Sequence, residues 1–287
     1  GAGPFPSEML GPDGDPDAVA AQVAEVGDRN PDLADLTRRV LTILPPPFDW
    51  CDIPAGKVTI EYSDTDKKEF PVERFAIAKY PITNAQYQVF AREGYRDTQW
   101  WDYSKEAQAW RKEYSKPNET AYAGDDLPRT KVSWYESLAF CRWLSAQIVG
   151  VKHALPSQIT LPTEQQWQRA AQGDDNRVYP WDSKFDSQRC NIEESGIGKP
   201  TPVTQYPNGA SPYGVLDMSG NVWEWCLTTW EDDKTDLSGS DSRVLRGGSF
   251  NLNLNHAAAS FRYDFNPFVR SFDYGFRVVC AAPFSAL

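Results

Sequence analysis

The sequence predicts an α+β domain with two main helices and a loop-rich β half. Three observations lead there. Reciprocally capped helix starts occur only before residue 175. Beyond that point helical periodicity disappears, and Gly, Pro, Asn and short apolar runs dominate. The chain of 287 residues is 40% hydrophobic and 24% charged, which is globular. A chain of this length buries roughly three quarters of its unfolded surface, enough for a core without staples.

Along the chain, residues 1–30 are rich in Gly, Pro, Asp and Ala and read as a flexible leader. Residues 31–47 form a helix and a proline linker. Leu33, Leu36, Val40 and Leu44 recur at helical spacing until Pro45-Pro46-Pro47 stops them. This helix either docks on the main domain or is the stub of an upstream module. The main domain spans 48–287. Val58–Tyr62 and Arg74–Ala78 read as strands. Thr83 with Gln86, Ser133 with Glu136 and Thr163 with Gln166 each place a hydroxyl cap three residues before a side chain that can reach back. The first helix presents Tyr87, Phe90 and Ala91 and stops near Gly94. The second presents Trp134, Leu138, Cys141 and Leu144 and ends near Gly150. The third presents Trp167, Ala170 and Ala171 and stops near Gly173.

Composition narrows the function. Forty acidic residues against 29 Lys and Arg give a net charge of −11, which repels nucleic acid. No apolar run reaches the ~20 residues of a membrane span, so no membrane partner is expected. No signal-like start is visible, and the five cysteines form no CxxC pair, so reduced thiols in a cytoplasm are expected. His153 and His256 are the only histidines, too few for a three-imidazole site. GxSxG, HExxH and P-loop strings are absent. The acidic pairs Asp125-Asp126, Asp174-Asp175 and Asp232-Asp233 suit solvated turns. The 11 Trp, 13 Tyr and 14 Phe imply either a large core or a sticky surface.

Specific strings then accumulate in order: Tyr80-Pro81-Ile82-Thr83-Asn84, Pro128-Arg129-Thr130-Lys131-Val132-Ser133-Trp134, Leu161-Pro162-Thr163-Glu164, Tyr179-Pro180-Trp181, Gly220-Asn221-Val222-Trp223-Glu224-Trp225, Arg246-Gly247-Gly248-Ser249-Phe250 and Gly275-Phe276-Arg277. Gly220, Gly247 and Gly248 suit tight turns or close backbone approach. Trp223 and Trp225 share one side of an extended segment, with Glu224 opposite. Over roughly residues 48–282 the set resembles the sulfatase-modifying, formylglycine-generating enzyme family. The resemblance implies a C-type lectin-like fold of the formylglycine-generating enzyme type. Its oxidase members resemble one another in a copper-binding cysteine pair shortly before Gly-Phe-Arg. Here that stretch, His256 to Phe265, contains no cysteine. A related iron-dependent branch uses three histidines, which this chain lacks. Neither copper nor iron is expected, and the chain is not expected to be an enzyme. The resemblance also implies structural calcium. The side chains of Asn191, Asp217 and Glu224 and the backbone oxygens of Ile192, Gly220 and Val222 would be its ligands, an all-oxygen set that suits a hard cation. The alternative is that Asp217 only caps a turn.

Residues 251–274 contain no Lys, Glu, Gln, Met or Trp. Every residue type present can be written with a codon ending in a pyrimidine, and the five missing types cannot. Asparagine codons scrambled at their adenines would generate this alphabet. The segment, bounded by Arg246 and Arg277, is similar to the variable region of diversity-generating retroelement proteins. The resemblance implies a fixed framework of Arg262, Pro267 and Arg270. It also implies variable, ligand-binding positions at Tyr263, Asp264, Phe265, Asn266, Ser271, Phe272, Asp273 and Tyr274, with Leu252, Leu254, His256, Phe261, Phe268 and Val269 beside them. Aromatic rings with short polar side chains suit a paratope. The competing reading is a core strand, because Phe261, Tyr263 and Phe265 alternate, as do Phe272 and Tyr274. The expected partner is a macromolecular ligand, a protein, while a separate reverse transcriptase would act on the gene. A formylglycine-generating-type oxidase with an unrecognised site, and a fixed-sequence sensory module of a larger effector, are the alternatives.

Overall fold

The computed structural model describes residues 31–149 and 159–281. The leader over 1–30, the helix end near Gly150, His153 and residues 282–287 lie outside the described residues. Helix α1 (Pro31–Leu41) buries Leu33, Leu36, Val40 and Leu41 in the same cluster as the domain core. It therefore docks on the domain, and a last turn carries it to Leu44, whose N–H reaches Val40 O at 2.8 Å. The proline linker is fixed from the other side, where the Gln86 amide donates to the carbonyls of Pro45 and Pro47.

Strands β1 (Trp50–Ile53), β2 (Gly56–Glu61), β3 (Lys67–Val72) and β4 (Phe75–Ala78) precede helix α2 (Asn84–Glu93). Helices α3 (Lys105–Glu113) and α4 (Trp134–Val149), strand β5 (Ile159–Thr160) and helix α5 (Glu164–Gln172) follow. All three expected capping boxes form. Thr83 with Gln86 and Thr163 with Gln166 satisfy each other's backbone donors. Ser133 Oγ accepts from Glu136 N while Glu136 accepts from Ser133 N. Helix α3 departs from expectation. It is strongly polar and buries only Ala107 and Trp110, so periodicity hides it.

The second half supplies β6 (Trp223–Thr229), β7 (Arg243–Arg246), β8 (Arg262–Phe265), β9 (Tyr274–Gly275) and β10 (Val279–Ala281). One four-stranded sheet has the order β1-β4-β10-β5, β2 and β3 form a hairpin, and a second four-stranded sheet has the order β8-β7-β6-β9. In the second sheet only the β6–β9 pairing is parallel. Trp223 and Trp225 turn to the cluster beneath α2 and α4, whereas Cys226 joins the cluster of the β2–β3 hairpin and α5. Glu224 shares the Cys226 side, as the two-residue period requires.

Leu36 is 1% exposed. Leu36→Ala should lower unfolding stability by about 3 kcal/mol in urea. An unchanged midpoint would show that α1 contributes nothing to the domain.

Candidate ligand-binding face

The chemistry of this face starts from its arginines. A buried guanidinium is tolerated only with a carboxylate and filled donor sites. Arg270 Nε and Nη2 bind the two oxygens of Glu136 at 2.8 and 2.6 Å, and its guanidinium lies over Trp110 and Tyr114. Arg262 Nε and Nη2 bind the two oxygens of Glu164 at 2.6 and 2.8 Å, and its guanidinium lies over Tyr62 and Trp230. Arg246 joins the same carboxylate at 2.8 Å. Glu136 is the residue that caps α4, and Glu164 opens α5, so the two helix starts are also the anchors of the segment.

Backbone bonds hold the rest of its course. Trp134 N donates to Pro267 O at 3.1 Å, Lys131 N to Ser271 O at 2.9 Å, and Trp223 N to Asp273 O at 2.9 Å. Ser219 Oγ donates to Ala257 O at 2.6 Å. None of these bonds uses a side chain of the candidate variable positions. Gly248, at φ +74°, passes so close to His256 O that a Cβ would lie 2.8 Å from it. Arg262 and Arg270 thus tie the segment down through their side chains, and Pro267 does so through its carbonyl.

The candidate ligand-binding side chains divide. Tyr263, Phe268 and Phe272 are exposed at 39, 50 and 43%. Asn266 is exposed too. Leu252, Leu254, His256, Phe261, Asp264, Phe265, Val269 and Ser271 are half-buried. Leu252, Phe261, Phe265 and Val269 lean on the main core, while Leu254 packs beside Cys190, Ile192 and Ala257. Two positions depart from an outward display. Tyr274 is 7% exposed, in β9, with its ring edge-on to Trp225 and Phe265. Asp273 is 5% exposed and accepts from the hydroxyls of Ser249 and Ser271. A ring is drawn under the sheet in one case, and a loop is tied in the other. The core-strand reading therefore holds for Tyr274 and in part for Phe261 and Phe265, but not for Tyr263, Phe268 or Phe272.

Sequence reasoning missed the layer beneath. Tyr263 stacks on Trp223 with centroids 5.3 Å apart, Phe272 meets Phe250, and Trp110 Nε1 donates to Phe268 O. The Trp-Glu-Trp string and the Ser133–Glu136 box were visible. Their contacts with the segment span long stretches of chain.

The expected calcium set does not fit as a whole. Glu224 has both oxygens committed: Arg277 Nη2 and Nε bind them at 2.6 Å each, and Trp167 Nε1 shares one at 2.7 Å. That pairing leaves Glu224 no uncommitted oxygen, whereas the buried Asn191 Oδ1 has no hydrogen-bond partner. Asn191 and Asp217 do approach each other through Asn221, whose amide donates to Asp217 at 2.8 Å and accepts from Asn191 at 3.3 Å. Burial pushes the Asp217 carboxyl up to about 7. Asn191 O accepts from Asn221 N at 2.7 Å. Gly220, at φ +82°, is approached by Asn191 O so closely that a Cβ could not fit. Ile192 and Val222 are buried beside these residues. The turn is thus held by amide and backbone bonds, with Asp217 as an acceptor.

All five cysteines are free and buried. Burial raises every thiol for which a shift is resolved: Cys190 and Cys280 to about 12, Cys141 and Cys226 well above the usual value. Among the described residues no three His, Cys, Asp or Glu side chains converge into a metal-binding group. No helix among them is long and apolar enough to cross a membrane.

The fold and this face define a C-type lectin-like α+β scaffold. Residues 48–282 match the model of the sulfatase-modifying factor enzyme 1-like domain, and the chain belongs to that family. It is 28% identical over 260 residues to inactive C-alpha-formylglycine-generating enzyme 2 of Mus musculus, covering 75% of this chain and 78% of that protein. It is 30% identical over 236 residues to hercynine oxygenase of Mycobacterium tuberculosis, covering 72% of this chain but 52% of that protein. The chain thus spans about half the length of the latter. Among solved structures, Treponema denticola variable protein 1 superposes with a TM-score of 0.63 at 20% identity, over 84% of this chain and 97% of that one. PvdO from Pseudomonas aeruginosa gives 0.60 at 18% identity, over 82% of this chain and 94% of that one. At these identities the likeness is one of fold. The proteins that the chain resembles thus include one named as inactive and one named as an oxygenase.

Two outcomes follow. Phe268→Ser with Phe272→Ser should leave the melting temperature within a few degrees, whereas Tyr274→Ser should cost about 3 kcal/mol on chemical unfolding; equal losses would place all three rings in the core. Adding calcium or a chelator should leave the melting temperature unchanged, because Arg277 already neutralises Glu224; a calcium-dependent rise of several degrees would contradict that.

Proposed function

We propose that this protein is the ligand-binding variable protein of a diversity-generating retroelement, and that residues 251–274 form its replaceable contact surface. One observation carries this reading. Within the segment, the arginines that hold the backbone have largely shielded, paired side chains, and Tyr263, Asn266, Phe268 and Phe272 around them are exposed. Such a division lets side chains change without moving the chain. Exposed rings beside short polar groups provide contact area at low rotamer cost. The restricted alphabet of the segment supports the same reading, as does the likeness in fold to a protein named as variable.

The protein acts by binding rather than by turnover. The segment lacks the cysteine pair of the oxidase members, the chain's thiols are buried, and burial raises those of Cys141, Cys190, Cys226 and Cys280. A macromolecular ligand, a protein, suits a face of this kind, because large rings dominate protein interfaces. The reverse transcriptase would act on the gene and need not touch this chain.

Sequencing the DNA beside the gene is the direct test. A near-identical repeat of the stretch encoding Arg246 to Arg277 is expected, differing from it only where the repeat carries adenine. Absence of the repeat, or differences at other bases, would reject the proposal.

A further inference from the structure

We infer that Trp223 is a hidden second layer of the contact surface, and that the residue at position 263 decides whether a ligand can reach it. The inference rests on the reading of residues 251–274 as replaceable. Trp223 sits on β6 and belongs to the fixed Trp-Glu-Trp string, outside the segment. It is 2% exposed. Its ring meets two rings from the segment: Tyr263, stacked on it at 5.3 Å with 28° between the planes, and Phe261, tilted at 6.1 Å. Tyr263 is itself open to solvent, so it is a lid one ring thick.

The lid lies on an edge strand. β8 pairs only with β7, and Tyr263 stands opposite Leu245 in that register. The strand is held by this ladder and by Arg262 on Glu164, neither of which involves the Tyr263 side chain. A smaller residue at 263 therefore removes the roof without releasing the strand. The cavity it leaves has an indole floor, a Phe261 wall and an open top. A cavity so lined accepts a flat ring or a guanidinium from a partner protein, stacked on the indole. Position 263 thus sets the depth of the face. A tyrosine there presents a ridge, and a serine or asparagine presents a socket that the scaffold already contains. The surface can in this way change shape, and not only chemistry, through one residue.

The test reads accessibility without any natural ligand. Full-length protein carrying 5-fluorotryptophan is compared by fluorine NMR as wild type, Tyr263→Ser and Phe268→Ser, with a soluble nitroxide as the probe of exposure. The Trp223 resonance is assigned as the one lost in Trp223→Phe, or, if that variant does not fold, as the one shifted by Phe261→Leu and by Tyr263→Phe alike. Broadening of this resonance should rise at least fivefold in Tyr263→Ser and stay at the wild-type level in Phe268→Ser. Titration with phenol should then shift it in Tyr263→Ser alone. A Trp223 signal that stays protected in Tyr263→Ser, or one that opens equally in Phe268→Ser, overturns the inference. Either result leaves the retroelement reading to its own genetic test, and absence of the DNA repeat would not close the socket.

Discussion

Pairing of buried carboxylates with arginines from the last third of the chain is the constraint on which the rest of the structure depends. Glu136, Glu164 and Glu224 are each fully buried, and each is bound by Arg270, by Arg262 with Arg246, or by Arg277. A buried ion pair is not in itself a large source of stability, because desolvation offsets most of the attraction. Its effect is on uniqueness. A carboxylate left without its arginine would be an uncompensated buried charge, so alternative courses of the C-terminal segment are penalised by several kcal/mol. Each carboxylate also serves a fixed element: Glu136 caps α4, Glu164 opens α5, and Glu224 sits mid-strand in β6. The segment is therefore positioned by its two arginines on glutamates of the regular structure rather than by its outward-facing side chains.

This arrangement explains why a scaffold rich in aromatic residues can carry an aromatic surface without confusing the two. Rings from the fixed strings, such as Trp223 and Trp225, fill the core from β6. Rings from the segment either lie on top of them or stand clear. Where a segment ring does enter the core, as Tyr274 does, it sits on β9, whose pairing with β6 carries it inward.

Much of this was legible in the sequence, and what was not has a physical cause. The Ser133–Glu136 box is a local pattern, so the helix start could be read directly. That Glu136 also receives Arg270, 134 residues away, could not, because no short-range signal specifies a long-range ion pair. The resemblance sets Arg262 and Arg270 apart from their neighbours, but not the glutamates that they bind. Phe272 and Tyr274 share an alphabet and a neighbourhood but have opposite fates. Trp223 N binds Asp273 O and draws the following residue into the sheet, while Phe272 remains in the preceding loop. Helix α3 escaped because its two buried residues are too few to make a period. That Glu224 is taken by Arg277, 53 residues away, was equally hidden, because a resemblance of strings does not reveal the partner of a buried carboxylate.

The central claim is that the backbone of residues 251–274 is fixed independently of its outward side chains. A crystal structure of a variant in which Tyr263, Asn266, Phe268 and Phe272 are all exchanged for other members of the same alphabet tests this most directly. The account predicts that the backbone of the segment superposes within about 1 Å, the usual limit for a preformed interface, with both arginine clamps intact. A segment that re-routes, or releases Arg262 or Arg270 from its glutamate, would contradict it.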